Sequence, residues 1–335
     1  MDIDLILDAR AADTELAELG TLAEELGFAG VWVSSLLDGR DPFTNFGLLA
    51  RATQRISMGP IAVNPWDMHP VRISAALHTL NEISAGRARI VIGGGGEALA
   101  ALGLQPERRV RAVQECVEIL RLAGKGERLD YAGQLYQVRG YQLGWLEASP
   151  PAVFVGANMP QMLRMSARVA AGIMLSDMPA PLAGAAVGTA NEAAAANGRD
   201  ADSLWFGSFT ALHIHDDVQL ARNEARRWLL LRGLFRPWVL ETFLATEDVN
   251  LIMQSQPAFL KAFVEGTHEI EGIPDALADK LVDELTLTAA ADSLDGVIAE
   301  LQALRAAGQT AACLRLYADP ARTMRLLADR VLPEL

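Results

Sequence analysis

The run Gly93-Gly94-Gly95-Gly96 constrains the fold more than any other stretch of the chain. Four consecutive glycines forgo about 2–4 kcal/mol of backbone entropy relative to alanine, so they are kept only where bare backbone is needed. They follow residues 88–92, an apolar, β-branched run that reads as a buried strand, and precede helix formers over 97–102. At the carboxyl end of a strand, such glycines let N–H groups approach an anion or a flat ring. A tight strand-to-helix turn without a ligand is the alternative. A Walker loop ends Gly-Lys-Ser/Thr, whereas Gly96 is followed by Glu97. A dinucleotide fingerprint can be forced as Gly93-x-Gly95-x-x-Ala98 with Glu115 as its acid, but that motif opens its domain, and here several strand–helix units come first.

On both sides of the glycines the same alternation repeats. Strands are expected at 3–7, 31–33, 56–63, 88–92, 152–155, 173–175, 204–214 and 311–317, with amphipathic helices between them. Asp13 is placed to cap the first helix, whose apolar stripe runs to Gly27, while Pro70, Pro160 and Asp319-Pro320 mark later helix starts. Eight such repeats in an α/β chain specify a (β/α)8 TIM barrel, in which the loops after the strands build the site and residues 93–97 lie on its rim. Two segments interrupt the repeat. Over about 127–150, Tyr131, Leu135, Tyr136 and Val138 around Gly133 read as a small hairpin before the fifth strand. Over 233–285, Phe259, Phe263, Leu277 and Leu281 recur at helical spacing, giving a helical insertion between the seventh and eighth strands. The expected organisation is one domain over 1–335.

Composition narrows the function. A formal net charge of −13 disfavours a protein that grips phosphate backbones, so no nucleic acid is expected as partner. Arg108, Arg109 and Arg111 read as the solvated start of a helix. Apolar runs stop well short of a membrane span, and Asp2, Asp4 and Asp8 stand where a signal peptide would be basic, so no membrane partner and no export signal are expected. Cys116 and Cys313 are too few for a disulfide framework and fit a reducing cytoplasm. His213 and His215 share one strand face without a recognisable third metal ligand, so they read as strand-end histidines and no metal site is assigned. His69, just before Pro70, would lie on the loop after the third strand and is a candidate catalytic contact. Trp32, Trp66 and Trp205 read as core or pocket wall.

Three pieces, AEELGFAGVWVS (23–34), MGPIAVNPWDMHPVRISAALHTLNEISAGRARIVIGGGG (58–96) and VFVGANMPQMLRMSARVAAGIML (153–175), resemble the luciferase-like flavin and deazaflavin oxidoreductase superfamily. The resemblance is to its methylenetetrahydromethanopterin reductase branch, which uses coenzyme F420. It implies a barrel, a cofactor across the carboxyl ends of the strands, a small-molecule substrate and a homodimer. The loop Gly156, Ala157, Asn158, Met159 would grip the cofactor phosphate, and the start of a helix at Pro160 suits that role. Ile61-Ala62 matches a pair joined by a non-proline cis peptide in relatives, with Asn64 presenting its amide to the ring or ribityl chain. Ser34, Gly94, Gly95 and Gly96 complete the implied cofactor contacts. Glu97 in GGGGEAL is similar to a proton-exchanging glutamate of the sugar-phosphate dehydrogenases, and an ordinary first-turn acid is the competing reading. Where relatives carry an acid–histidine pair after the second strand, this chain has Ser34, Ser35 and Leu36. The expected function is hydride transfer with F420. The alternatives are an FMN-dependent monooxygenase and a barrel that binds flavin or another small ligand without turnover.

Overall fold

The computed structural model describes residues 1–96 and 99–335 and the backbone of Ala98. Its strands are β1 (Asp2–Leu7), β2 (Gly30–Ser34), β3 (Ser57–Ile61), β4 (Arg89–Ile92), β5 (Leu129–Ala132), β6 (Gln137–Tyr141), β7 (Ala152–Gly156), β8 (Gly172–Ser176), β9 (Trp205–His215), β10 (Thr286–Ala290) and β11 (Ala311–Leu316). The helices are α1 (Asp13–Glu25), α2 (Pro42–Asn45), α3 (Gly47–Ala52), α4 (Pro70–Ile83), α5 (Ala98–Ala101), α6 (Arg109–Ala123), α7 (Pro160–Val169) and α8 (Ala180–Ala196). They continue with α9 (Val218–Trp228), α10 (Pro237–Leu240), α11 (Thr246–Gln254), α12 (Gln256–Glu265), α13 (Asp275–Leu285), α14 (Asp295–Ala306) and α15 (Pro320–Arg330).

Parallel pairing runs β3-β2-β1-β11-β9-β8-β7-β4, the order of a (β/α)8 barrel. Between β3 and β4, among the described residues, the ring is held by isolated bridges from Met58 to Ala88 and from Val63 to Ile92. Pro60 brings no N–H to that ladder, and a cis peptide joins Ile61 to Ala62 within it. Because helices cover the sheet, the strands are apolar on both faces. Leu5, Val31, Ile90, Val155, Ile173 and Leu314 point out to the helices, while Ile6, Trp32, Val91, Phe154, Met174 and Cys313 point into the barrel.

Polar groups close the barrel near the amino ends of its strands. Asp4 Oδ2 accepts from Trp32 Nε1 at 2.8 Å and from Arg89 Nη2 at 2.6 Å, and the Arg89 guanidinium lies 4.2 Å from the centre of the Trp32 ring. Trp32 and Trp205 both lie in the interior, as expected, and Trp205 packs against Phe154 in a tilted arrangement with ring centres 4.4 Å apart.

The hairpin forms where expected, as β5 and β6. The buried Glu115 carboxylate, far from any dinucleotide role, accepts N–H groups from Gln134, Leu135 and Tyr136 at 2.8–3.0 Å and so holds its turn. The insertion is helical through α10–α13, with its own apolar core around Leu234, Leu240, Phe259 and Leu281. Residues 286–290, outside the expected strands, form β10, which pairs with the carboxyl half of β9. No glycine or proline separates α13 from β10, so the change from helix to strand has no local punctuation. Two smaller differences concern the first helices. Ala12, not Asp13, is the N-cap of α1, and the helical segment between β2 and β3 is broken at Phe46 into α2 and α3.

Candidate active site

A cleft of about 590 Å³ opens over the carboxyl ends of the strands. Ser34 lines it from the end of β2, Ile61 and Ala62 from the end of β3, and Gly94, Gly95 and Gly96 from the loop after β4. Gly156, Ala157, Asn158 and Met159 line it from the loop after β7, and Asn64 borders it as well. Every expected cofactor contact thus borders one space, although the residues come from four separate strand ends.

The backbone explains the glycines. Gly95 has φ +67°, and a Cβ there would fall 2.2 Å from Leu99 Cδ1; a Cβ on Gly93 would fall 2.8 Å from Ala62 Cβ. Only hydrogen satisfies both the left-handed turn and the close approach to the end of β3. Trp66 backs the loop, its ring 3.5 Å from where a Gly95 Cβ would stand. Among the described residues the N–H groups of Gly94, Gly95 and Gly96 donate to no protein acceptor.

The loop after β7 is fixed from beneath. Asn158 Nδ2 donates to Ser176 O at 2.8 Å, and Asn158 Oδ1 accepts from Ser176 N at 3.0 Å, so one amide staples the loop to the end of β8. Ala157 N donates to Met174 O at 3.1 Å. Beyond this clamp α7 begins at Pro160 with no side chain capping its first turn, which leaves N–H groups and the positive end of the helix dipole at the loop. On the opposite side, Ser35 N donates to Ile61 O at 2.6 Å and ties β2 to the cis pair.

Of three expectations about individual side chains, the structure changes two, and the third falls outside the described residues. Asn64 lines the cleft but spends its amide on its own turn: Oδ1 accepts from Trp66 N and Asp67 N, and Nδ2 donates to Asp67 Oδ2 at 2.7 Å. Such Asx turns form readily at a residue two or three before the N–H groups it accepts. His69 is not among the residues that line the cleft. Its Nδ1 accepts from Val71 N at 3.3 Å as the N-cap of α4, and its ring packs edge-on against Tyr136. Glu97 lies outside the described residues.

The sequence reading missed the far wall. Val91, Met174 and Phe209 line the cleft from β4, β8 and β9 and follow from strand phase once the barrel is accepted. Arg236 and Trp238 reach the cleft from the insertion, where barrel phase gives no signal. Behind this wall, Ser176 Oγ donates to Asp177 Oδ2, and Asp177 pairs with the buried Arg232 at 3.3 Å. Farther along β9, His213 and His215 both meet Glu224 Oε2 of α9, at 2.8 and 3.1 Å, and His213 stacks on Tyr317 at 4.3 Å. Burial holds His213 below its ordinary pKa against the pull of Glu224. Burial also works to raise Glu224, but the hydrogen bonds from the two histidines outweigh it and leave the carboxyl low.

The fold and cleft define a TIM-barrel enzyme with its site at the carboxyl ends of the strands. Within that class the chain belongs to the luciferase-like monooxygenase family, whose profile matches residues 6–311. It is 28% identical over 327 residues to the 5,10-methylenetetrahydromethanopterin reductase of Archaeoglobus fulgidus, covering 96% of each chain. In structure it is similar to the coenzyme F420 dependent tetrahydromethanopterin reductase from Methanopyrus kandleri, with a TM-score of 0.85 at 21% identity over 99% of this chain and 98% of that one. An F420-dependent secondary alcohol dehydrogenase, solved with an F420-acetone adduct, follows with a TM-score of 0.80 at 16% identity over 99% and 98% of the two chains. These two likenesses establish the fold.

Proposed function

We propose that the chain is an oxidoreductase that moves a hydride between coenzyme F420 and a small unsaturated or carbonyl substrate. One observation carries this reading: the free N–H groups of the glycine loop and the uncapped start of α7 border the same cleft, beside a flat apolar wall. The likeness to proteins named for F420 supports the choice of cofactor. That combination suits a ligand with an anionic tail and a planar ring. In this reading Gly156, Ala157, Asn158, Met159 and the first turn of α7 hold the phosphate, while Ser34, Ile61, Ala62 and Gly94–Gly96 meet the ring. Bound there, F420 supplies a two-electron hydride donor or acceptor. Val91, Met174 and Phe209 exclude water from the reacting face. Glu97, by its place in the sequence directly after the glycines, is the proton carrier.

Fluorescence titration should give saturable F420 binding, and reduced F420 should be oxidised without oxygen by a member of a carbonyl and enone panel. A Glu97→Gln variant with undiminished turnover removes that residue from the mechanism. The family description favours a second reading, an FMN-dependent monooxygenase. A yellow protein that retains FMN and consumes oxygen would establish it in place of the first.

We also read residues 1–335 as one working unit that forms a homodimer in a reducing cytoplasm. Cys116 and Cys313 are both buried and unpaired, which suits such a compartment. An apolar groove among α1, α3 and α15, edged by the exposed Leu48, supports self-association. Sedimentation at twice the monomer mass is the expected result. Among the described residues no helix is long and apolar enough to cross a membrane.

A further inference from the structure

We infer that Arg236 makes the insertion side of the cleft an oxyanion-recognition element, one that takes a carboxylate or phosphate group. Among the described residues lining the cleft, it is the only cation, and Asp67 is the only acid. Asp67 is engaged by Asn64. Arg236 has no acidic partner among the described residues; its one hydrogen bond runs from Nη1 to the neutral carbonyl of Ser176 at 3.1 Å. Arg232, four residues earlier and linked to Ser176 through Asp177, is neutralised by that aspartate. The insertion therefore brings two arginines to one place and leaves one of them without an acidic partner among the described residues, half-buried and facing the cleft.

The local backbone is shaped to keep it there. Gly233 has φ +66°, and a Cβ at that position would stand 2.8 Å from Arg236 Nη1 and 2.9 Å from Cζ. The turn thus leaves room for the guanidinium as well as adopting a conformation that side chains resist. A half-buried guanidinium with most of its donors unused is stabilised by an oxyanion, and its planar fork matches carboxylate or phosphate in two-point contact. Trp238 stands beside it as a flat apolar wall. On a chain of net charge −13, such a local cation selects for a ligand group that the global field does not attract.

This inference rests on the F420 reading, and two sources could supply the oxyanion: the acidic tail of the cofactor or a substrate. Wild type, Arg236→Met and Arg236→Lys are titrated with F420 and with the tail-less deazaflavin chromophore, followed by fluorescence. The F420-loaded proteins are then titrated with acetate, benzoate and inorganic phosphate, followed by the absorbance of the bound chromophore. Loss of a charge-assisted contact corresponds to about a tenfold or greater loss of affinity. If Arg236→Met weakens F420 by that factor and leaves the tail-less chromophore unchanged, the oxyanion belongs to the cofactor. If F420 binding is unchanged but the anion response of wild type disappears in Arg236→Met, it belongs to the substrate. In either case Arg236→Lys should recover part of the effect, and the wild-type affinity should fall with salt more steeply than that of Arg236→Met. F420 binding indifferent to Arg236, together with no anion response in wild type, overturns the inference alone. No F420 binding by wild type overturns the cofactor reading and this inference with it. A melting curve shows whether Arg236→Met is folded, and Arg236→Gln replaces it if it is not.

Discussion

Asp4 shows how much one carboxylate organises inside the barrel. Its Oδ2 meets both Arg89 and Trp32 while being shielded from solvent, so the three strands β1, β2 and β4 share one charged contact. The Cys313 thiol lies 3.7 Å from the same oxygen, and burial, reinforced by that charge, pushes its pKa well up. Removing one partner of a buried pair leaves the other uncompensated, at a cost of about 3–5 kcal/mol. Arg89→Met should therefore lower the urea midpoint strongly. Asp4→Asn should do so less, because the amide oxygen still accepts from Trp32. Equal midpoints for Arg89→Met and wild type would show that the cluster contributes nothing. The same residues mark a limit of legibility. Asp4 is one acid among several near the start of the chain, and only the closed ring brings it against Arg89, 85 positions away.

At the scale of elements, helices and strands differ in how plainly they are written. Pro160 and Asp319-Pro320 announce α7 and α15, and Asp319 indeed accepts from Arg322 N at 3.1 Å. The hairpin was legible from Tyr131 to Val138, but what holds it was not. Glu115 sits on α6 and satisfies three N–H groups of the turn through the fold, not through sequence proximity. Glu115→Ala should destabilise the protein by about 2 kcal/mol, since the turn is partly exposed and water can replace some of the lost acceptor. Faster amide exchange confined to residues 129–141 would identify the hairpin as the place where that energy is lost. Unchanged exchange there would refute the assignment. β10 stayed hidden for the converse reason: its register is set by β9, and its own residues, Thr-Leu-Thr-Ala-Ala, are equally at home in a helix end or a loop.

Across the whole molecule, the barrel and the insertion meet at the cluster of His213, His215, Glu224, Tyr317 and Trp228. Trp228 reaches Phe263 of α12 on the other side. His213 and Glu224 both titrate lower in the folded chain than when exposed, so the unfolded chain binds protons more readily than the folded one. Their contribution is complete above about pH 6.5, the unperturbed value for histidine, and is lost as pH falls first through the lowered histidine and then through the lowered carboxyl. The urea midpoint should drop between pH 7 and pH 4, and less steeply in a His213→Phe variant. A midpoint that rises on acidification would contradict this account. The sequence declared the barrel through eight repeats and one wall of the cleft through glycines and prolines. It did not declare the wall contributed by the insertion, because Arg236 and Trp238 acquire meaning only from where α10 lands.

The insertion carries an apolar interior distinct from that of the barrel, yet it lends two side chains to the common cleft. Change in one interior need not disturb the other. Substitutions within residues 233–285 can therefore reshape what enters while the barrel beneath stays intact, and a laboratory graft of that segment between relatives is the natural route to altered scope.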